Sequence, residues 1–305
     1  MIARADVDDA AARIAGHVRV TPVLEADPGA VWFKLELLQH TGTFKARGAF
    51  NRVLSARESG ELDDRVGIVV ASGGNAGLAN AYAAAAVGVP AAVFVPTTAP
   101  AVKLARLRSY GAAVVEVGSE YAEAYEAALD HATKTGAVHV HAYDQPEVAA
   151  GAGVCGSELL AQVEVDAIVV AVGGGGLMAG VAAAAEGVAE VIAVEPETCP
   201  TLHTALLSGR PVDVPVSGIA ADSLGARRIG AVAYAVATRT GVRSVLVREQ
   251  DLVDARRRLW SEYRIAVEHG AAAAFAALAS GAYTPEPGAR VAILLCGANT
   301  DPSDL

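Results

Sequence analysis

A chain of 305 residues with 53 % hydrophobic and 19 % charged residues is long enough for one large domain or two ordinary ones, and too apolar to be disordered. Its net charge of −10 argues against broad nucleic-acid binding and against an anionic membrane surface, while leaving room for a local phosphate pocket. Three widely spaced cysteines, Cys155, Cys199 and Cys296, give neither a disulfide framework nor a CxxC metal pair, so a reducing cytoplasm is the expected compartment.

The N-terminal stretch carries Asp6, Asp8 and Asp9 and has no long apolar core, which does not read as a signal peptide. Apolar periodicity then predicts a helix over 8–18, a strand over 31–36 and a helix from Lys45 to about residue 58. Strands at 68–70, 91–95, from 114, and 138–141 come next, separated by helices at 76–87, 101–109 and 120–135. The alternation resumes with helix 147–162, strand 167–172, helix 177–186 and strand 191–195. Residues 209–223 read as irregular, and helices 251–263 and 271–280 lead to a last strand at 291–295.

The uncharged run 167–185 has the length of a membrane span. Gly173-Gly174-Gly175-Gly176 at its centre, flanked by Asp166 and Glu186, argues instead for a buried strand, a turn and a buried helix. Strands that are apolar throughout are covered on both faces, so the predicted fold class is α/β, with parallel sheets and helices on both sides.

In open parallel sheets, ligands sit beyond the carboxyl ends of the strands. Three glycine-rich turns occupy such places: Ser72-Gly73-Gly74-Asn75-Ala76-Gly77, Gly173–Gly176 with Leu177, and Cys296-Gly297-Ala298-Asn299. Four glycines leading into a helix can aim their amides at one anion. Their spacing matches neither GxGxxG nor GxxxxGK[ST], so a monophosphate suits them better than a nucleotide. Ser72 suits an N-cap, but exposed amides beside a hydroxyl can also hold a carboxylate. Lys45, in Thr41-Gly42-Thr43-Phe44-Lys45-Ala46-Arg47, is either a solvated first-turn lysine or an amine kept available to condense with a carbonyl cofactor.

Taken in order, these stretches resemble the fold-type II pyridoxal-phosphate enzymes of the serine/threonine dehydratase group. Val194-Glu195-Pro196, Ala221-Asp222 and Val267-Glu268-His269-Gly270-Ala271 match as well, and the likeness covers nearly the whole chain. The resemblance implies a tryptophan-synthase-β-like architecture: a large cofactor domain from 1–47 and 146–305, with a small mobile domain, 48–145, inserted in it. It implies that Lys45 is the Schiff-base lysine and that Phe44 packs on the pyridine ring. It gives Asn75 to the ring hydroxyl, Gly173, Gly174, Gly175, Gly176 and Leu177 to the phosphate, and Cys296 to the pyridine nitrogen. Ser72, Gly73, Gly74, Asn75 and Ala76 would bind the substrate carboxylate. A monovalent cation would be held by Glu195 and carbonyls near Cys199, since Thr201 stands where some relatives carry an acidic ligand.

The implied reaction is β-elimination from L-threonine and/or L-serine to a 2-oxo acid and ammonia, by a homodimer. β-Replacement, another β-elimination, and a non-catalytic protein that holds a phosphorylated metabolite are the competing readings. Gly73 lacks the second hydroxyl that serine-racemising relatives place there, which disfavours racemisation.

Overall fold

The computed structural model describes residues 1–304. The chain opens with α1 (Arg4–Ile14), β1 (Val23–Asp27), β2 (Val31–Lys34) and α2 (Lys45–Glu58). It continues through β3 (Ile68–Ala71), α3 (Asn75–Val87), β4 (Ala91–Val95), α4 (Ala101–Ser109), β5 (Ala113–Glu116), α5 (Tyr121–Thr135) and β6 (Val138–His139). Next come α6 (Pro146–Gln162), β7 (Ala167–Ala171), α7 (Gly176–Ala185), β8 (Glu190–Pro196), α8 (Thr201–Ser208), α9 (Ala221–Leu224) and α10 (Ala231–Thr240). The last elements are β9 (Arg243–Val247), α11 (Glu249–Tyr263), α12 (His269–Ala279) and β10 (Val291–Leu294).

These strands make two sheets. One has the order β5-β4-β3-β6, is parallel throughout, and draws every strand from 68–139. The other has the order β1-β2-β10-β7-β8-β9 and is parallel except for its edge strand β1, which pairs antiparallel with β2. Strands β3 and β7 are buried along their whole length, as their unbroken apolar runs require. The α/β class with parallel sheets holds.

The elements absent from the sequence reading are β1, β9, α8, α9 and α10, with α9 beginning inside the stretch 209–223 read as irregular. Edge strand β9 alternates in burial and edge strand β1 has no buried residue, so neither shows the apolar run that marks a central strand. The first helix lies four residues earlier than expected, at Arg4 rather than Asp8. Helix α2 is continuous from Lys45, so the expected division at 47/48 falls within one helix. Among the described residues, no helix is long and apolar enough to cross a membrane. The three cysteines are buried and unpaired with one another.

In the larger sheet β10 lies between β2 and β7. The turn after β7 and the turn after β10 therefore emerge side by side, as ligand loops do where strand order reverses.

Candidate active site

Lys45 is the first residue of α2, and the turn that presents it is tied to the end of β10. The Phe44 amide donates to the Cys296 carbonyl at 3.0 Å, and Thr43 pairs with Gly297 in an isolated antiparallel bridge. The half-buried Lys45 side chain donates from Nζ to the Ala142 carbonyl at 2.9 Å and lies 5.0 Å from the Phe44 ring centre. Burial lowers its pKa to about 8, against the opposing pull of Cys296 and Glu268. An amine that sheds its proton this readily is a usable nucleophile and base.

Two residues further on, Arg47 fixes the first turn of α2. Its guanidinium is wholly buried and makes a paired bond to Glu36 (2.8 and 2.7 Å) and another to Glu158 (3.1 Å each). Lys34 also donates to Glu158, at 2.6 Å. Two cations thus face two carboxylates inside the protein. Removing one member of such a set costs about 3–5 kcal/mol, because its partner stays buried and uncompensated.

The glycine turn after β7 is dictated by close packing as well as by its amides. A Cβ on Gly173 would sit 2.9 Å from Leu224 Cα, and one on Gly174 would sit 2.3 Å from Cγ of the Tyr143 ring. Gly175 takes φ +89°, where an L side chain is strained. The turn opens α7, and among the described residues no backbone or side-chain acceptor takes the N–H groups of Gly174, Gly175, Gly176 or Leu177. Half-buried to buried amides of this kind call for an anion. The donor set fits the phosphate of a phosphorylated cofactor.

The loop after β3 is open where the turn after β7 is crowded. A Cβ on Gly73 would meet only Val95 Cγ1, at 3.5 Å, and one on Gly74 would meet nothing within 4 Å. Packing therefore demands neither glycine; what they keep clear is the space over the loop's own amides. Ser72 is not the N-cap of α3, which is Gly74 with no side-chain cap. Its Oγ instead accepts from the Gly74 amide at 3.3 Å, inside the loop. Ala76 is buried in the first turn of α3.

Asn75 is held more firmly than its sequence context predicts. Its Nδ2 donates to both oxygens of Glu268, at 2.9 and 3.1 Å, and its Oδ1 accepts from Asn299 Nδ2 at 2.7 Å. Glu268 is buried, and burial raises its carboxyl to about 7. Cys296, buried beside Lys45 and Glu268, has its thiol pushed well above the usual range by burial, so it is a neutral thiol. Glu268, Asn299 and Tyr143 belong to this surface, and Arg47 braces the turn carrying Lys45 from within the core, without any of them having been assigned a role from sequence. Glu268 lay in a matching motif with no role attached, and the need for glycine at 174 was the only trace of Tyr143.

Glu195 and Cys199, expected at a cation site, also serve the local fold. Glu195 is buried, and its carboxylate accepts from the Leu202 and His203 amides at 2.6 and 2.8 Å, capping α8. The Thr201 hydroxyl donates to the Ala226 carbonyl at 2.7 Å, and the Cys199 carbonyl accepts from the Thr201 amide at 3.0 Å. Protein donors thus take two acceptor positions of the Glu195 carboxylate and one of the Cys199 carbonyl, and a cation held there would use those that remain. The physical reason is that the buried helix terminus α8 needs an acceptor, and Glu195 supplies it.

A family model described as "Pyridoxal-phosphate dependent enzyme" matches residues 14–297. The chain is 39 % identical to a phenylserine dehydratase of Ralstonia pickettii, over 95 % of this chain and 91 % of that protein. It is 35 % identical to an L-threonine ammonia-lyase of Thermotoga maritima, over 91 % of this chain and 69 % of that one. The solved structure of maize serine racemase superimposes with a TM-score of 0.89 at 29 % identity, covering 98 % of this chain and 94 % of that one. Likeness of sequence and of architecture over nearly the full length makes this chain a member of the fold-type II pyridoxal-phosphate dependent enzymes.

Proposed function

We propose that this enzyme is an ammonia-lyase for β-hydroxy amino acids, converting L-threonine and/or L-serine to the 2-oxo acid and ammonia. The observation that carries the reading is Lys45, an amine with its pKa lowered to about 8, set between the turn after β10 and the carbonyl of Ala142. Pyridoxal phosphate, when bound, supplies the electron sink for the pair released at Cα.

The chain's residues do the remainder. The amides of Gly173 to Leu177 would hold the cofactor's phosphate, and Phe44 and the neutral Cys296 thiol would contact its ring. Ser72 to Ala76 hold the substrate carboxylate over the two open glycines. Lys45 as a free amine removes the proton from Cα. Departure of the β-hydroxyl as water, then hydrolysis of the product enamine, returns the water and releases ammonia, so the balance is one amino acid to one 2-oxo acid and one ammonium. Asn75, held on Glu268, would donate to the cofactor's ring hydroxyl. Gly73 offers no hydroxyl to return a proton from the opposite face, which favours elimination over racemisation. The four-stranded sheet and its helices, within the expected segment 48–145, act as the small mobile domain, and the working form is a homodimer.

The test is chemical. Borohydride treatment of the yellow holoenzyme should abolish its visible band and leave the reduced cofactor's mass on the peptide containing Lys45. Pyruvate or 2-oxobutyrate should then form from serine or threonine with no added nucleophile, and Lys45→Ala should lower that rate at least about 10³-fold. A requirement for a thiol or other nucleophile would point to β-replacement instead.

A further inference from the structure

We propose that the rings of Tyr121, Tyr125 and Tyr143 form the surface on which the substrate's β-substituent rests, and that this substituent is aromatic, making a β-aryl serine a preferred substrate. The proposal rests on the lyase reading above and specifies the group that reading leaves open at Cβ.

Aromatic residues are scarce in this chain, at 5 %, yet three of its eight tyrosines fall within 121–143, with His139 and His141 among them. They form one connected row. Tyr121 stacks on Tyr125 (6.0 Å between centres, 25°), and Tyr125 meets the His139 and His141 rings edge-on at 5.6 and 5.9 Å. His141 meets Tyr143 edge-on at 4.6 Å. Such a row could be ordinary core, but its burial says otherwise. Tyr121 is 51 % exposed, and Tyr125 and Tyr143 are only half-buried. Among the described residues, the hydroxyls of Tyr121 and Tyr125 have no hydrogen-bond partner, so it is not their tips that hold these rings in place.

The row also lies where a substrate side chain must pass. Tyr121 opens α5 just after β5, and Tyr143 follows β6, so both stand at the carboxyl edge of the smaller sheet. The Ser72–Asn75 loop leaves β3 at that same edge, and β3 neighbours β6. Lys45 Nζ is bonded to the carbonyl of Ala142, the residue between His141 and Tyr143. Tyr143 is fixed flat over the Gly174 position, with its hydroxyl donating to the Arg228 carbonyl at 3.2 Å. The amine, the carboxylate loop and the row of rings therefore lie along one edge of the smaller sheet, with Tyr143 beside the amine. Rings offer faces and edges at the 4.5–7 Å centre spacing that an aromatic guest prefers. A single methyl gains little from such a surface.

Holoenzyme would be assayed with L-threo-3-phenylserine and with L-threonine. It would also be titrated calorimetrically with L-phenylalanine and L-2-aminobutyrate, which carry the same two β-substituents but no leaving hydroxyl. The expected result is kcat/KM about tenfold higher for phenylserine, with phenylalanine binding more tightly than aminobutyrate by a similar factor. Tyr121→Ala should lower both selectivity ratios about fivefold, and Tyr121→Phe, which keeps the ring, should keep them. Wild-type ratios of one or less, or ratios that Tyr121→Ala does not move, overturn the proposal and leave the lyase reading standing. If no β-hydroxy amino acid yields an oxo acid, the lyase reading fails instead, and the calorimetric ratios alone decide for or against the aryl surface.

Discussion

The side-chain amide of Asn75 spans the carboxylate of Glu268, touching one oxygen at 2.9 Å and the other at 3.1 Å, across 193 positions of sequence. This pair joins the loop after β3, in the smaller sheet's region, to the start of α12, and it stands beside Lys45 and Cys296. Burial raises the Glu268 carboxyl from 4.5 to about 7. A carboxyl raised on folding binds its proton more tightly in the native state, so its contribution to stability is lost as pH rises between those two values. Glu195 is shifted in the same direction, to about 7. A comparison with Glu268→Gln therefore isolates Glu268: relative to the variant, the wild type should lose about 2 kcal/mol between about pH 4.5 and about pH 7. Thermal or urea melts of both proteins across that range would show it, and parallel curves would refute it.

The two kinds of glycine loop should respond differently to a methyl group. Gly174→Ala drives a Cβ to 2.3 Å from the Tyr143 ring and should cost about 1–3 kcal/mol of stability. It should also weaken cofactor binding, measured by fluorescence titration of the apoenzyme with pyridoxal phosphate. Gly74→Ala meets nothing within 4 Å. It should leave the melting temperature and cofactor affinity as they were while raising KM for the amino acid, since only the space over the carboxylate loop is filled.

Gly73 has room for a side chain, with Val95 Cγ1 the only atom near its Cβ position, at 3.5 Å. Gly73→Ser should accordingly fold as well as the parent. If a hydroxyl there can return the proton to the opposite face of Cα, the variant should form D-serine from L-serine, detectable by chiral chromatography, at the expense of pyruvate. A well-folded variant that makes pyruvate alone would show that the position does not govern the fate of the proton.

Because Glu195 caps α8 and Thr201 bonds to the Ala226 carbonyl, added potassium or magnesium should change neither the melting temperature nor the rate. Thr201→Asp replaces the hydroxyl by a carboxylate next to the Cys199 carbonyl. That variant should gain stability on addition of a divalent cation, an effect reversed by chelator. A cation-dependent melting temperature in the wild type would show instead that an ion uses the acceptor positions those bonds leave.

Lys45 shows how far sequence carried the site. Its place at the start of a helix was legible, because apolar spacing from residue 45 onward sets the 3.6-residue period. That its amine is half-buried against Ala142 was not, since Ala142 lies 97 residues away. Edge strands β1 and β9 escaped because β1 buries none of its residues and β9 only alternate ones, so neither carries an apolar run. Glu195 read equally well as an ion ligand or a solvated carboxylate, and its burial overturns the solvated reading. It lies buried as a helix cap, a role that depends on where α8 begins.

By itself, the sequence determined the alternation of buried strands and helices, the three glycine turns and the residue types each turn offers, because those depend on local spacing and on what glycine permits. Only the tertiary structure decided which turns are neighbours. Inserting β10 between β2 and β7 brings Cys296 beside Lys45 and the glycine turn, and the packing of α12 places Glu268 on Asn75. Strand order and side-chain burial arise from contacts between distant segments, and from them come the lowered amine, the raised carboxyl and the neutral thiol.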